Sequence, residues 1–282
     1  MHIAALNLYP LKSGRGIALD EAAVGPEGIP GDRRMMLVDL EGNFITQRDF
    51  PVLARLDVRL AEGSVRLAFD GADEIVVMQP PAERRTDVVI WKSPVSAAVA
   101  DDAINRKITG WLGRKARLVF FDEQSQREAS REWAGEGTPV TFADGYQILV
   151  TTTASLAALN ADMVAHGEGE VGMDRFRPNI VLATNEAWAE DGWGTIEIGT
   201  LILDLVKPCT RCIMTTQDQR TGSREVASPM PAMGRIRMSA DRRVPGPLFG
   251  WNAVPRTAGR ISVGDDVKVR AMREAPWAIK RR

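Results

Sequence analysis

The sequence predicts a mainly β protein with a few helices, and three features predict it. Short runs of β-branched and apolar residues recur along the chain and are punctuated by glycine. Only two stretches carry apolar residues at helical spacing. Near-repeats at 196–200 and 261–265, Ile-Glu-Ile-Gly-Thr and Ile-Ser-Val-Gly-Asp, set glycine turns between alternating strands, the pattern of a meander closing into a barrel.

In chain order, residues 3–8, 35–39, 56–60, 64–69, 74–78 and 87–91 read as strands bounded by turn residues, which makes the first part β-rich. Residues 101–112 then place Ala103, Ile104, Ile108 and Leu112 on one helical face, bridging to a strand at 118–121. A second helix is expected over 155–163, with Thr153 or Ser155 as its cap and Leu156, Leu159 and Met163 as its inner stripe. Strands resume at 179–183, 195–198, 201–206 and 261–269. Residues 217–247 are polar and rich in Gly, Pro and Arg, too long for a passive connection, and read as a lid or binding loop. The tail from 271 to 282, with Lys280, Arg281 and Arg282, reads as a solvated end.

At 282 residues the chain is long enough for one elaborated domain or two smaller ones. With 36 Lys and Arg against 37 Asp and Glu, no global field exists to grip nucleic acid or an anionic membrane, so any anion site has to be local. No run approaches the roughly 18 apolar residues of a membrane helix. The opening residues lack a charged segment followed by a long apolar one, so no signal peptide is read and a soluble cytoplasmic protein is expected.

The distinctive soft-ligand chemistry has a single address. Cys209 and Cys212 are the only cysteines, in Lys207-Pro208-Cys209-Thr210-Arg211-Cys212, directly after an alternating apolar run. Lys207 and Arg211 are expected to favour a thiolate, the form that attacks or binds a soft metal. A redox disulfide is one reading, although the following Ile213-Met214-Thr215-Thr216 is β-branched rather than helix-forming. A zinc site would lack a full tetrahedral set, since His2 and His166 are remote in sequence. Two small hydrophobes ending a strand is the plain structural alternative.

Longer stretches carry a resemblance that covers almost the whole chain. Tyr9-Pro10-Leu11-Lys12-Ser13-Gly14, Gly31-Asp32-Arg33-Arg34-Met35-Met36-Leu37-Val38-Asp39 and Thr46-Gln47-Arg48 resemble the MOSC N-terminal β-barrel domain. Arg175-Phe176-Arg177-Pro178-Asn179-Ile180-Val181, Trp188-Ala189-Glu190-Asp191, Ile198-Gly199, the Cys209 to Cys212 motif with Thr215-Thr216, Thr221-Gly222 and Pro247-Leu248-Phe249-Gly250 resemble the MOSC domain. The resemblance implies an N-terminal MOSC barrel over 1–120, a MOSC β-barrel domain over 121–271 and a basic tail over 272–282. It is to the branch that includes amidoxime-reducing proteins, and it implies a molybdenum–molybdopterin cofactor held between the two domains.

In that branch the second cysteine ligates molybdenum, which lands on Cys212 as metal ligand and catalytic residue, with Cys209 beside it. The resemblance assigns cofactor contacts to Lys12, Ser13, Arg34, Arg177, Asn179, Thr210 and Arg211, more weakly to Thr153 and Ser155, and to Asn252 where relatives carry tyrosine. A terminal phosphate and a polar ring need fixed cations and amide-type donors, which these side chains supply. Plainer readings stand beside them: Arg34 as a solvated strand-end charge, Asn179 as a backbone partner, Thr153 and Ser155 as caps.

The implied activity is reduction of N-hydroxylated compounds, or related N-oxides and S-oxides; a cofactor or sulfur carrier without turnover is the alternative. Two cysteines cannot hold the iron–sulfur cluster that some relatives append. Electrons are therefore expected from a separate ferredoxin-like or haem carrier served by a flavin reductase. Arginines 220, 224, 235, 237, 242 and 243 in the 217–247 segment are expected to dock it. The chain has nothing resembling the pyridoxal-phosphate portion of full-length cofactor sulfurases, so that cofactor is not expected.

Overall fold

The computed structural model describes residues 1–71 and 74–280. Alternating inward and outward side chains build β1 (His2–Leu8), β2 (Ile17–Leu19), β3 (Glu21–Val24), β4 (Met35–Val38), β5 (Leu56–Ala61), β6 (Ser64–Phe69), β7 (Ile75–Met78), β8 (Arg85–Ile90) and β9 (Ser93–Val99), with a 3-10 turn at Pro51–Arg55, before the first α-helix, α1 (Asp102–Leu112). There follow β10 (Arg117–Phe120), the single turn α2 (Arg131–Ala134), β11 (Ile148–Thr152), α3 (Thr153–Ala165), β12 (Ile180–Ala183), β13 (Trp193–Ile198) and β14 (Leu201–Thr210). The chain closes with α4 (Met230–Ile236), β15 (Leu248–Pro255), β16 (Gly259–Ser262) and β17 (Lys268–Met272). The mainly β class is as the sequence predicts.

Among the described residues, eight strands form the largest sheet, in the order β17, β13, β14, β15, β11, β12, β1, β2. The start of the chain thus lies in the sheet built by its second half, with Leu6 opposite Ile180 and Ile3 opposite Leu182. Among the described strands of this sheet, only β11 and β12 run parallel, and α3 is the crossover that parallel pairing requires. Ile3, Leu6, Val150, Ile196, Leu203 and Trp251 fill the core on this sheet. β4, β10, β9 and β8 form a second sheet and β5 to β7 a meander. Because side chains alternate, β4 sends Met35 and Leu37 to one core and Met36 and Val38 to another.

Differences from the sequence reading have local causes. α3 is capped by Thr152, whose hydroxyl accepts from Ser155 N at 3.2 Å, rather than by Thr153 or Ser155. The strand expected over 261–269 is two strands, because Gly264 at φ 93° turns the chain and sends β16 to β3 and β17 to β13. β11 is buried on both faces and shows no alternation to detect. β9 hides behind Pro94, tolerated because only β8 pairs there.

The 217–247 segment is packed rather than open: α4 lies on α3 through Ala232, Met233, Leu159 and Met163. Nor is the tail simply solvated. Trp277 meets Trp251 edge-on at 5.8 Å, and Lys280 N donates to the Met238 carbonyl at 2.8 Å. Arg281 and Arg282 lie outside the described residues.

Candidate active site

The end of β14 makes the site. Register shifts between Leu205 and Lys207, and again between Pro208 and Thr210, bend this strand against β15, and such bulges re-aim side chains. Cys209 and Cys212 emerge half-buried and free. A 3-10 turn, Ile213–Thr216, follows in place of the extended run that its β-branched sequence suggests, closed by Thr215 N donating to the Cys212 carbonyl at 3.1 Å.

The cations at the thiols are not the pair expected from sequence. Lys207 turns away, its ammonium 5.2 Å over the Trp133 ring. Arg211 Nη1 lies 2.9 Å from Cys209 Sγ, while its Nη2 donates to the Phe176 carbonyl at 2.8 Å. The charge beside Cys212 comes from far upstream: burial opposes the Arg48 charge, but Asp144 and the Cys212 sulfur together raise its pKa above the ordinary arginine value.

Both halves of the chain supply the cavity around these sulfurs. Lys12, Arg33, Arg48, Arg175, Arg177 and Arg211 line it, with Asp144 as the one carboxylate among the described residues. Lys12 Nζ donates to the Phe142 carbonyl at 2.9 Å and pairs with Asp144, which also takes Arg48 Nη2 at 2.8 Å. The Asp144 side chain is 56% exposed yet crowded by protein atoms, which acts to raise its pKa; Lys12 and Arg48 outweigh that and hold it well below the usual carboxylate range. Arg33 donates to Asn179 Oδ1 at 3.0 Å, and Arg177 Nη1 donates to the Gly14 carbonyl at 2.7 Å. Burial pushes the Arg177 pKa down, and nearby Arg33 adds to the shift. Three of the lining residues, Ser13, Arg33 and Arg177, sit at positive φ, a strain that concentrates at working sites. Arg211 Nε is buried without a hydrogen-bond partner among the described residues.

Of the residues predicted from sequence, Lys12, Ser13, Arg177, Asn179, Cys209, Thr210, Arg211, Cys212 and Asn252 all line this cavity. Three predicted residues lie elsewhere. Arg34 pairs with Glu27 and donates to the Phe121 carbonyl at 3.1 Å, and the neighbouring Arg33 lines the cavity in its stead. Thr153 is exposed, accepting weakly from Thr184 N at 3.4 Å. Ser155 is buried against Glu190, donating to its carboxylate at 2.7 Å. Sequence reasoning missed Arg33, Arg48, Asp144, Arg175 and Met214 as lining residues. Arg33, Arg48 and Arg175 had a signal, since all three stand inside quoted motifs; Asp144 had none.

Three of the six expected docking arginines are committed to ion pairs. Arg235 pairs with Asp162 and, at 2.7 Å, Glu168; Arg237 pairs with buried Asp191 at 2.8 Å; Arg243 pairs with Asp241 at 2.7 Å. Among the described residues no helix is long and apolar enough to cross a membrane.

The MOSC N-terminal beta barrel domain profile matches residues 1–115, and the MOSC domain profile matches residues 137–268. Human mitochondrial amidoxime-reducing component 1 is 29% identical, covering 94% of this chain and 82% of its own. Human mitochondrial amidoxime reducing component 2 is 28% identical with the same coverages. Among solved structures, the YUAD protein from Bacillus subtilis overlays with a TM-score of 0.42 at 11% identity, covering 94% of this chain and 93% of that one.

Proposed function

The chain belongs to the MOSC family, and from that premise we propose that it is a molybdenum-cofactor-dependent reductase of N-hydroxylated compounds, or of related N-oxides and S-oxides. The observation that carries the proposal is the cavity itself: six cations and one carboxylate around the two thiols, in a chain of net charge −1. An anionic, pterin-linked metal centre fits that lining. The buried Arg211 Nε would gain a partner, the crowded Arg33 and Arg177 would gain a counter-charge, and Cys212 would supply the soft ligand. When bound, the group would supply the electron-pair chemistry that parts oxygen from nitrogen.

The chain's own residues do the rest. Lys12, Arg33, Arg177 and Arg211 would hold the phosphate and ring, and Asn179 and Asn252 would offer amide contacts. Asp144 pins Lys12 and Arg48, so Arg48 keeps a fixed charge beside Cys212, where the substrate oxygen would leave as water once two electrons from the carrier and two protons from solvent are supplied. We assign the cofactor cradle to the junction of a domain over 1–120 and one over 121–271. Electrons come from a separate carrier protein.

Purified protein should contain molybdenum and pterin in equal amounts and should oxidise a reduced viologen when given benzamidoxime. Cys212→Ser should abolish turnover while the fold survives, because serine is the harder ligand, and Cys209→Ser should hurt less. Cofactor binding without any turnover would instead mark a carrier.

A further inference from the structure

Trp91 stands where a side chain is ill suited to the backbone. Ile90 pairs with Ser93, so Trp91 is the first of the two residues that turn β8 into β9. Its φ is 56°, a value that two-residue hairpin loops favour for glycine at this position. The ring is nonetheless held in place, with Arg48 4.7 Å from its centroid and Phe44 edge-on at 5.3 Å. Half of the residue, 50%, still faces solvent. A strained aromatic residue kept exposed on a hairpin tip serves packing poorly.

Its position explains it. Arg48, on which the indole stacks, is a wall of the cavity and the charge beside Cys212. On another chain segment, Ile213 directly follows the lining residue Cys212 and is 46% exposed. Neither side chain lines the cavity itself, but each adjoins a residue that does, Trp91 stacked on Arg48 and Ile213 next to Cys212, so both offer apolar surface outside a charged interior. That arrangement suits a ligand with a polar head and a flat apolar body, the head entering among the cations and the body staying against the indole.

We propose that Trp91 is the substrate-contacting residue that gives this cavity its preference for N-hydroxylated compounds bearing an aromatic ring; the proposal rests on the reductase reading above. Arg48 positions the indole by stacking, so it fixes the ring and the charge beside Cys212 together.

The test compares benzamidoxime with acetamidoxime, which share the N–O group and differ in phenyl against methyl. Binding is measured by ligand-observed NMR on the protein as isolated, and turnover with reduced viologen is measured separately. Wild type should bind benzamidoxime about tenfold more tightly than acetamidoxime, the scale of one aromatic contact with its buried area. Trp91→Gly, which suits the backbone there, should lose that preference with acetamidoxime binding unchanged, and Trp91→Phe should keep most of it. Absence of preference in wild type, its persistence in Trp91→Gly, or equal loss of both ligands would overturn the proposal. Preferential binding without reduction of either compound would sink the reductase reading and leave the Trp91 contact standing.

Discussion

Arg33 donates to the backbone carbonyl of Arg177 at 3.2 Å, and both guanidinium groups lie over the ring of Tyr9, at 4.4 and 4.3 Å. This contact joins the two halves of the chain at the cavity wall. It also sets Arg33, and not the adjacent Arg34, among the residues that line the cavity. Arg33→Lys should keep a charge for buried Asp32 but lose the fork that reaches Asn179 and the Arg177 carbonyl. Charge-assisted bonds of about 1.5–3 kcal/mol imply a fall in molybdenum occupancy of about tenfold or more. Arg34→Lys should leave occupancy unchanged. Equal metal content in both variants would remove Arg33 from the cradle.

The choice between these neighbours shows where sequence reading stops. Strand and helix placement was largely legible: residues 64–69 are β6, residues 101–112 give α1 with Asp101 capping Ile104 N, and Gly199 turns β13 into β14. The thiol address was legible too, because only two cysteines exist. Which of Arg33 and Arg34 faces the cavity was not, since Arg33 sits at φ 45° just before β4 and breaks the alternation that assigns faces. Asp144 was invisible for another reason. Its partners Lys12 and Arg48 are roughly a hundred residues away or more, and no local pattern encodes that meeting.

Alkaline pH should expose the same cluster through Tyr9. Burial is the largest influence on its phenol and outweighs Arg177 and Arg33, pushing the pKa up from 10.0 to about 12. A folded pKa above the unfolded one means the native state holds the proton more tightly. The associated stability is full below pH 10 and is lost as pH rises from there towards about 12, amounting to about 3 kcal/mol. Tyr9→Phe should lack that loss, at a neutral-pH cost of about 1 kcal/mol for the bond to the Pro178 carbonyl. Urea unfolding across the range would show it. Arg177 shifts in the opposite sense and Tyr146 is also raised, so the difference between wild type and variant is the quantity to read.

A buried ion pair behind the site should behave asymmetrically. Arg237 and Asp191 have side chains only 6% exposed, meet at 2.8 Å, and share Asp191 with Trp251 Nε1 at 3.1 Å. Arg237→Met strands a carboxylate in the interior and should cost about 3–5 kcal/mol. Adding Asp191→Leu should recover much of it. If the double variant unfolds as early as the single one, the loss lies in packing around Trp188, over which Arg237 lies at 4.2 Å.

Two glycines at similar positive φ separate strain from collision. Gly63, at φ 66° in the β5–β6 turn, has nothing within 4 Å of an added Cβ, so Gly63→Ala should cost only the left-handed penalty of about 1 kcal/mol. Gly222, at φ 76°, would place its Cβ 2.4 Å from the Pro51 carbonyl oxygen and 2.8 Å from the carbonyl carbon, and both are backbone atoms that cannot swing aside. The same segment holds the Arg48 carbonyl through Arg224 Nη2 at 2.9 Å. Gly222→Ala should therefore cost clearly more than Gly63→Ala in urea unfolding, because the 217–247 segment has to lift from the turn at Pro51. It should also reach the chemistry: when that segment lifts, Arg48 loses the anchor on its backbone, and turnover should fall in Gly222→Ala while Gly63→Ala keeps the wild-type rate. Equal stability and equal rates in the two variants would mean that the contact between Gly222 and Pro51 carries no constraint on the site.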